Sequence, residues 1–244
     1  MAKEIDLWNP WHGCRKISEG CLNCYVYRID SSFGKNPEIV EKTKDFFLPL
    51  KRNKSGSLKI PPLARVYTCL SSDFFLEDAD PWRAQAWQII KARPDLHFCI
   101  ITKRIHRFYE KLPADWADGY ENVTIISTCE NQKRADFRLP ILLDAPIKNR
   151  EITCEPLLEN LDIKKYLKTG KIKRVIAGGE SGPNARICRH EWVESLRRQC
   201  VEANVPFSVK QTGARYFYGG KIYSIPRNKQ HSQAAKSGMD FEAE

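Results

Sequence analysis

The chain has no apolar run approaching the ~20 residues a helix needs to cross a bilayer, so a membrane-spanning protein is not expected. No secretory-type leader precedes its cysteines, and those nine are odd in number and scattered. A disulfide framework is therefore not expected, and the thiols read as reduced groups of a cytoplasmic chain. Dense basic blocks are absent too. The formal charge of +10 is dispersed along the 244 residues. It points only in general terms to an anionic partner, whether nucleic acid, a phosphorylated substrate or an anionic cofactor. A further absence is local. Between Trp8 and Tyr25, in WNPWHGCRKISEGCLNCY, there are three cysteines and no fourth.

Six residues separate Cys14 from Cys21 and two separate Cys21 from Cys24. The short gap lets two sulfurs reach one centre from a single turn, and the longer one makes a loop able to wrap a cluster. Three thiolates on a [4Fe–4S] cubane leave one iron open, whereas structural zinc sites close with a fourth Cys or His. His12 could supply that fourth zinc ligand, so both metals stay open at this point. Cys69 and Cys99 lie inside apolar runs and read as buried core.

Ile5 to Trp8 reads as a first strand. From Asp30 to Pro62 the composition turns polar and basic, and residues 31–62 read as an inserted loop or lid, either a solvated connection or a substrate clamp. Beyond it, short apolar runs alternate with helical patterns. The expected strands are Ala64 to Leu70, His97 to Thr102, Val123 to Thr128, Asn149 to Cys154, Arg174 to Gly179 and Pro206 to Gln211. The expected helices are Pro81 to Ala92, Ile105 to Lys111, Lys133 to Leu143, Ile163 to Lys168 and His190 to Ala203. Such alternation predicts an α/β fold, a partial or complete (β/α) TIM-type barrel of about six to eight parallel strands in a single domain. Residues 213–244 would form a C-terminal extension.

Each predicted strand ends in polar or reactive side chains, and in a parallel barrel those ends share the face on which active sites are built. They are Ser71, Ser72 and Asp73; Thr102, Lys103 and Arg104; Ser127, Thr128 and Glu130; Cys154 and Glu155; Gly178 to Ser181; Lys210 and Gln211. Gly178 and Gly179 would let backbone approach a ligand, with Glu180 next to them to receive an ammonium group or a ribose hydroxyl. A tight strand-to-helix turn would use the same glycines.

WNPWHGCRKISEGCLNCY, SSDFF, ITKR, CEPLL, GGESGPNAR, VPFSVKQTG and HSQAAKSG together resemble the phage-protein-related three-cysteine family of the radical S-adenosylmethionine superfamily. The likeness spans almost the whole chain. It departs from most of that superfamily in having six residues, not three, between the first two cysteines, and in carrying GGE on the sixth strand, not after the second. The resemblance implies a [4Fe–4S] cluster on Cys14, Cys21 and Cys24, with S-adenosylmethionine on the open iron. Ser71, Ser72 and Asp73 would take the methionine-binding role, joined by Ser127, Glu130, Gly178 and Gly179. It also implies a lyase that converts queuine, a small modified base, to 7-aminomethyl-7-deazaguanine. Glu155, Glu180 and Lys210 would act there as catalytic groups, a carboxylate facing the base's N–H donors. A flavodoxin or ferredoxin would donate electrons. The alternatives are a radical enzyme acting on nucleic acid and a zinc-stabilised nucleic-acid-binding protein.

Overall fold

The computed structural model describes residues 5–243. Its main strands are β1 (Ile5–Trp8), β2 (Arg65–Thr68), β3 (His97–Thr102), β4 (Val123–Thr128), β5 (Asn149–Cys154), β6 (Ile172–Gly178) and β7 (Phe207–Gln211). The seven lie in one sheet in their sequence order. Parallel registers run Trp8↔Thr68, Thr68↔Ile100, Cys154↔Ala177 and Phe207↔Val175. The α/β class and the sequential parallel strands expected from the alternating runs are thus present. Among the described residues no helix is long and apolar enough to cross a membrane. By contacts the chain divides into two compact units, Met1–Lys16 with Val26–Ile126 and Ala145–Asn149, and Ile17–Tyr25 with Ser127–Asp144 and Arg150–Glu244.

In the first unit, helix α1 (Tyr25–Ser32) follows the last cysteine of the loop, and helix α2 (Asp80–Lys91) follows β2. Asp80 and Pro81 open α2 and Lys91 closes it, an arrangement that suits the helix dipole. Its inner face, Arg83, Ala86, Trp87 and Ile90, recurs at helical spacing and is buried. Trp87 packs edge-on against Phe74 and Trp116 at 4.8 and 5.0 Å between ring centroids. The helix expected over Ile105 to Lys111 is instead a 3-10 turn, Ile105–Arg107, followed by further three-residue hydrogen bonds in which the Glu110 amide donates to the Arg107 carbonyl and the Leu112 amide to the Tyr109 carbonyl. Ile105 and Phe108, three apart, are the buried pair, and Lys111 takes a left-handed φ of 59° just before Leu112–Pro113, which a helix cannot pass through.

The polar stretch after α1 is not a free solvated connection. Its strand Glu41–Lys42 pairs antiparallel with Trp11–His12. The Thr43 hydroxyl donates to the Asn9 carbonyl at 2.6 Å, and Trp8 Nε1 donates to the Phe46 carbonyl at 3.0 Å. Trp8 and Trp11 are wholly buried, Trp8 also against Phe98 and Trp11 against Phe74. The sequence hid this because the strand pairing is a two-residue backbone ladder, too short to leave an alternating apolar pattern.

The second unit carries helices α3 (Gln132–Asp144), α4 (Lys164–Leu167), α5 (His190–Glu202) and α6 (Arg227–Lys236). The C-terminal extension is structured. Strands Arg215–Tyr218 and Lys221–Ser224 pair antiparallel around Gly219 and Gly220, both at positive φ as a two-residue hairpin turn requires. Cys188–Arg189 adds a parallel third strand beside the first of them.

Candidate functional site

In the first unit the segment leading into Cys14 is gripped along its backbone. The Cys14 amide donates to the Pro37 carbonyl at 2.8 Å, and the Tyr27 hydroxyl donates to the Cys14 carbonyl at 2.6 Å. Gly13 sits at φ 88° with Ile39 O only 2.0 Å from where a Cβ would be, so no other residue fits. The Ser72 hydroxyl donates to the Gly13 carbonyl, and the Ser71 hydroxyl reaches the Trp11 carbonyl at 3.4 Å. Asp73 is buried. Its Oδ1 accepts from the Thr102 hydroxyl at 2.8 Å and the Phe75 amide at 3.0 Å, while Oδ2 accepts from the Lys103 amide at 2.9 Å and lies 3.5 Å from Arg104 Nη1. That guanidinium also stands 3.8 Å from Cys14 Sγ and donates to the Arg15 carbonyl at 2.6 Å. Ser71, Ser72 and Asp73, together with Arg104, therefore hold the Cys14 strap.

The second unit holds the Cys21 and Cys24 turn just as firmly. Glu19–Cys21 is a 3-10 turn, and the Cys24 amide donates to the Cys21 carbonyl at 3.3 Å. The Ser18 hydroxyl donates to Glu130 Oε1 and lies 3.9 Å from Cys21 Sγ. Glu130 is fully buried, and its other oxygen accepts from Arg138 Nη1 at 2.6 Å. Gly20 lies against it, with Glu130 Cδ 3.0 Å from a would-be Cβ. Glu19 pairs with Arg134 at 2.9 Å, and that hydrogen bond, with the Glu19 backbone amide, lowers its pKa to about 2. Between the two cysteines, Asn23 donates to Glu180 Oε2 at 3.0 Å and to the Asn184 carbonyl at 2.8 Å.

Glu180 is therefore committed. Besides Asn23 it accepts from Arg186 Nη2 at 2.6 Å, Nε at 3.0 Å and the Arg186 amide at 2.9 Å. Burial pushes its pKa up, but the Arg186 and Asn23 hydrogen bonds outweigh burial and leave it below the usual carboxylate value. Glu155 is less enclosed by donors, accepting from Lys210 Nζ at 2.8 Å and Gln211 Nε2 at 2.5 Å. Gly178 gives that carboxylate room, since its Cβ would lie 3.3 Å from Glu155 Cδ. Gly179 serves the chain's own packing, because a Cβ there would lie 2.2 Å from Thr212 O. The close approach is thus to a side chain at Gly178 and to protein backbone at Gly179. Ser127 and Thr128 differ from all of these. Both are buried, and neither hydroxyl has a hydrogen-bond partner, although the Cys129 thiol stands beside Ser127.

The donor set fits an iron–sulfur cluster. Cys14, Cys21 and Cys24 are the three part-exposed cysteines, while Cys69, Cys99, Cys129, Cys154, Cys188 and Cys200 are buried. Burial pushes the thiol pKa of Cys129, Cys188 and Cys200 to about 12 and raises Cys69 and Cys154 well above the ordinary value, so these make poor ligands. Among the described residues no three His, Cys, Asp or Glu side chains converge as a ready metal cage. What fits is the chemistry of the donors and the orphaned hydroxyls, not a preformed cage. His12, the fourth ligand that zinc would need, has its Nε2 on Asp30 Oδ2 at 2.8 Å. Ser18 and Asn23 escaped the sequence reading because no local spacing signals that a loop residue will meet a carboxylate more than a hundred positions away; Arg138 and Arg186, eight and six positions from Glu130 and Glu180, escaped it because an arginine at that separation is not by itself a pairing signal.

An α/β protein with three accessible thiols on an anchored loop is the class that fold and site define. Residues 4–242 match the model of the family described as "Protein of unknown function (DUF5131)", and the chain belongs to that family. No curated protein and no solved structure matches it.

Proposed function

We propose that the chain is a radical enzyme on a partial (β/α) barrel, carrying a [4Fe–4S] cluster on Cys14, Cys21 and Cys24 with S-adenosylmethionine on the open iron, and that it converts queuine to 7-aminomethyl-7-deazaguanine. The observation that carries this reading is selective exposure: these three thiols are accessible while all six others are buried. Once bound, cluster and S-adenosylmethionine supply a carbon radical able to take a hydrogen atom from the substrate.

The chain's own residues hold and orient. Arg104 places positive charge beside Cys14; Ser72 fixes the Gly13 carbonyl; Ser18 and Asn23 fix the turn between Cys21 and Cys24. The unpartnered hydroxyls of Ser127 and Thr128 suit the polar groups of the cofactor, since a buried hydroxyl without a partner costs about 1–3 kcal/mol. Of the two carboxylates considered for the base, Glu155 suits that role better, because Glu180 already accepts four hydrogen bonds. Glu155, with Lys210 and Gln211 on its oxygens, can exchange those donors for the two adjacent N–H groups of a guanine-like edge.

The test is to incubate the reconstituted, reduced protein with S-adenosylmethionine and queuine under anaerobic conditions. 5′-Deoxyadenosine and the aminomethyl base should appear in step, and Glu155→Gln should suppress the second product. Cofactor cleavage that leaves queuine unchanged would overturn the substrate assignment.

A further inference from the structure

The C-terminal extension contains a cavity of about 550 Å3 within the second unit, in the size range of small-ligand sites. His190, Tyr216, Tyr218, Tyr223, Lys229 and Lys236 line it. His190 stacks edge-on against Tyr218 at 4.5 Å between centroids, and its Nδ1 lies 3.1 Å from the Tyr216 hydroxyl. The aromatic wall is therefore braced on its inner side, while its outer part is open: Tyr218 and Tyr223 are 53% and 47% exposed. The whole of Lys221–Ser224 is exposed although it carries Ile222 and Tyr223, large apolar groups that folding alone gives no reason to leave in water.

Charge narrows the ligand. From Ala203 to Met239 the chain has no Asp or Glu, yet it has Lys210, Arg215, Lys221, Arg227, Lys229 and Lys236. Among the described residues Arg215, Lys221, Lys229 and Lys236 make no ion pair, and all four are exposed. Arg189 adds a guanidinium over the Phe217 ring at 4.6 Å. Open ring faces flanked by unpaired cations suit a polyanion that also carries flat rings. A duplex hides its base faces, whereas a single strand can present them.

We propose that this hairpin and α6 bind single-stranded nucleic acid, with a base against Tyr218 and Tyr223 and phosphates on Lys229, Lys236 and Lys221. The site does not depend on the three-cysteine reading, and its binding is measured without turnover. Sequence reading overlooked it because the tyrosines fall in two short runs that come together only when the Gly219–Gly220 turn closes the hairpin.

Fluorescence anisotropy of the full chain with a labelled single-stranded RNA tests the proposal. Binding should weaken steeply between about 50 and 200 mM salt, with a slope of roughly −0.7 per phosphate held. Tyr223→Ala should weaken it about tenfold while Tyr223→Phe keeps it, as expected for stacking. Lys229→Glu with Lys236→Glu should flatten the salt slope. Equal affinity for the matching duplex or for an acidic polypeptide, or an unchanged affinity in Tyr223→Ala, would overturn it. A second measurement needs no variant: a photoreactive strand should crosslink to the unmodified protein within Arg215–Ser224, and crosslinks confined elsewhere would refute the site.

Discussion

The Arg104 guanidinium stands 3.8 Å from Cys14 Sγ, whereas Cys21 has the Ser18 hydroxyl 3.9 Å from its sulfur, so these two thiols have different neighbours although they share one loop. Cys14→Ala, Cys21→Ala and Cys24→Ala should each lose bound iron. Cys69→Ala and Cys99→Ala should keep it and lose about 1–3 kcal/mol of stability, because they empty buried positions. Iron content alongside thermal unfolding separates the two outcomes, and full iron in Cys21→Ala would contradict the ligand assignment. At this scale the sequence was legible for residue type and not for partnership. Cys69 and Cys99 are core as their apolar surroundings implied. Asp73 and Glu180 were read as ligand contacts, and what the sequence did not show is that each also accepts from the protein's own donors, Thr102 and Lys103 for Asp73 and Arg186 for Glu180.

At the scale of elements, the Cys21–Cys24 turn is stabilised partly by charge. Glu19 has its pKa lowered to about 2 from an ordinary value near 4.5. A carboxylate depressed on folding contributes stability that is complete above its unfolded value and lost as pH falls through the folded one. Glu19→Gln should therefore be less stable than the parent at neutral pH, by no more than about 1 kcal/mol since the pair is half exposed, with the gap closing between about pH 4.5 and 2. Denaturant titration at a series of pH values measures it, and a gap independent of pH would be the contrary result. Gly179→Ala probes the turn after β6. Its Cβ would meet Thr212 O at 2.2 Å, backbone that cannot step aside, so it should cost about 3 kcal/mol or more, or prevent folding. A melting temperature close to the parent's would show that the close approach does not matter.

The same scale shows which elements could be read in advance. β3, β4 and β5 match their expected bounds residue for residue, since each is a compact β-rich run flanked by turn residues. The helix expected at Ile105 failed because a buried pair three apart satisfies a 3-10 turn as readily as an α-helix. Helix α1 went unread because it begins directly after Cys24, where attention fell on metal spacing. The tyrosine hairpin lay within what was read only as a C-terminal extension, its strands being too short and too polar to announce themselves.

For the molecule as a whole, the charge of +10 was a weak pointer while it was only a total. The fold gives part of it a place, in the acid-free stretch from Ala203 to Met239 around the tyrosine cavity. The sequential parallel sheet and membership of an uncharacterised family leave the three-cysteine centre as the claim on which the functional account turns. Iron and acid-labile sulfide per chain, determined on anaerobically reconstituted protein together with its visible absorption, test it most directly. The account predicts a brown, reducible chromophore with about four irons and four sulfides per chain, lost in each of Cys14→Ala, Cys21→Ala and Cys24→Ala. A colourless protein holding a single zinc would contradict it.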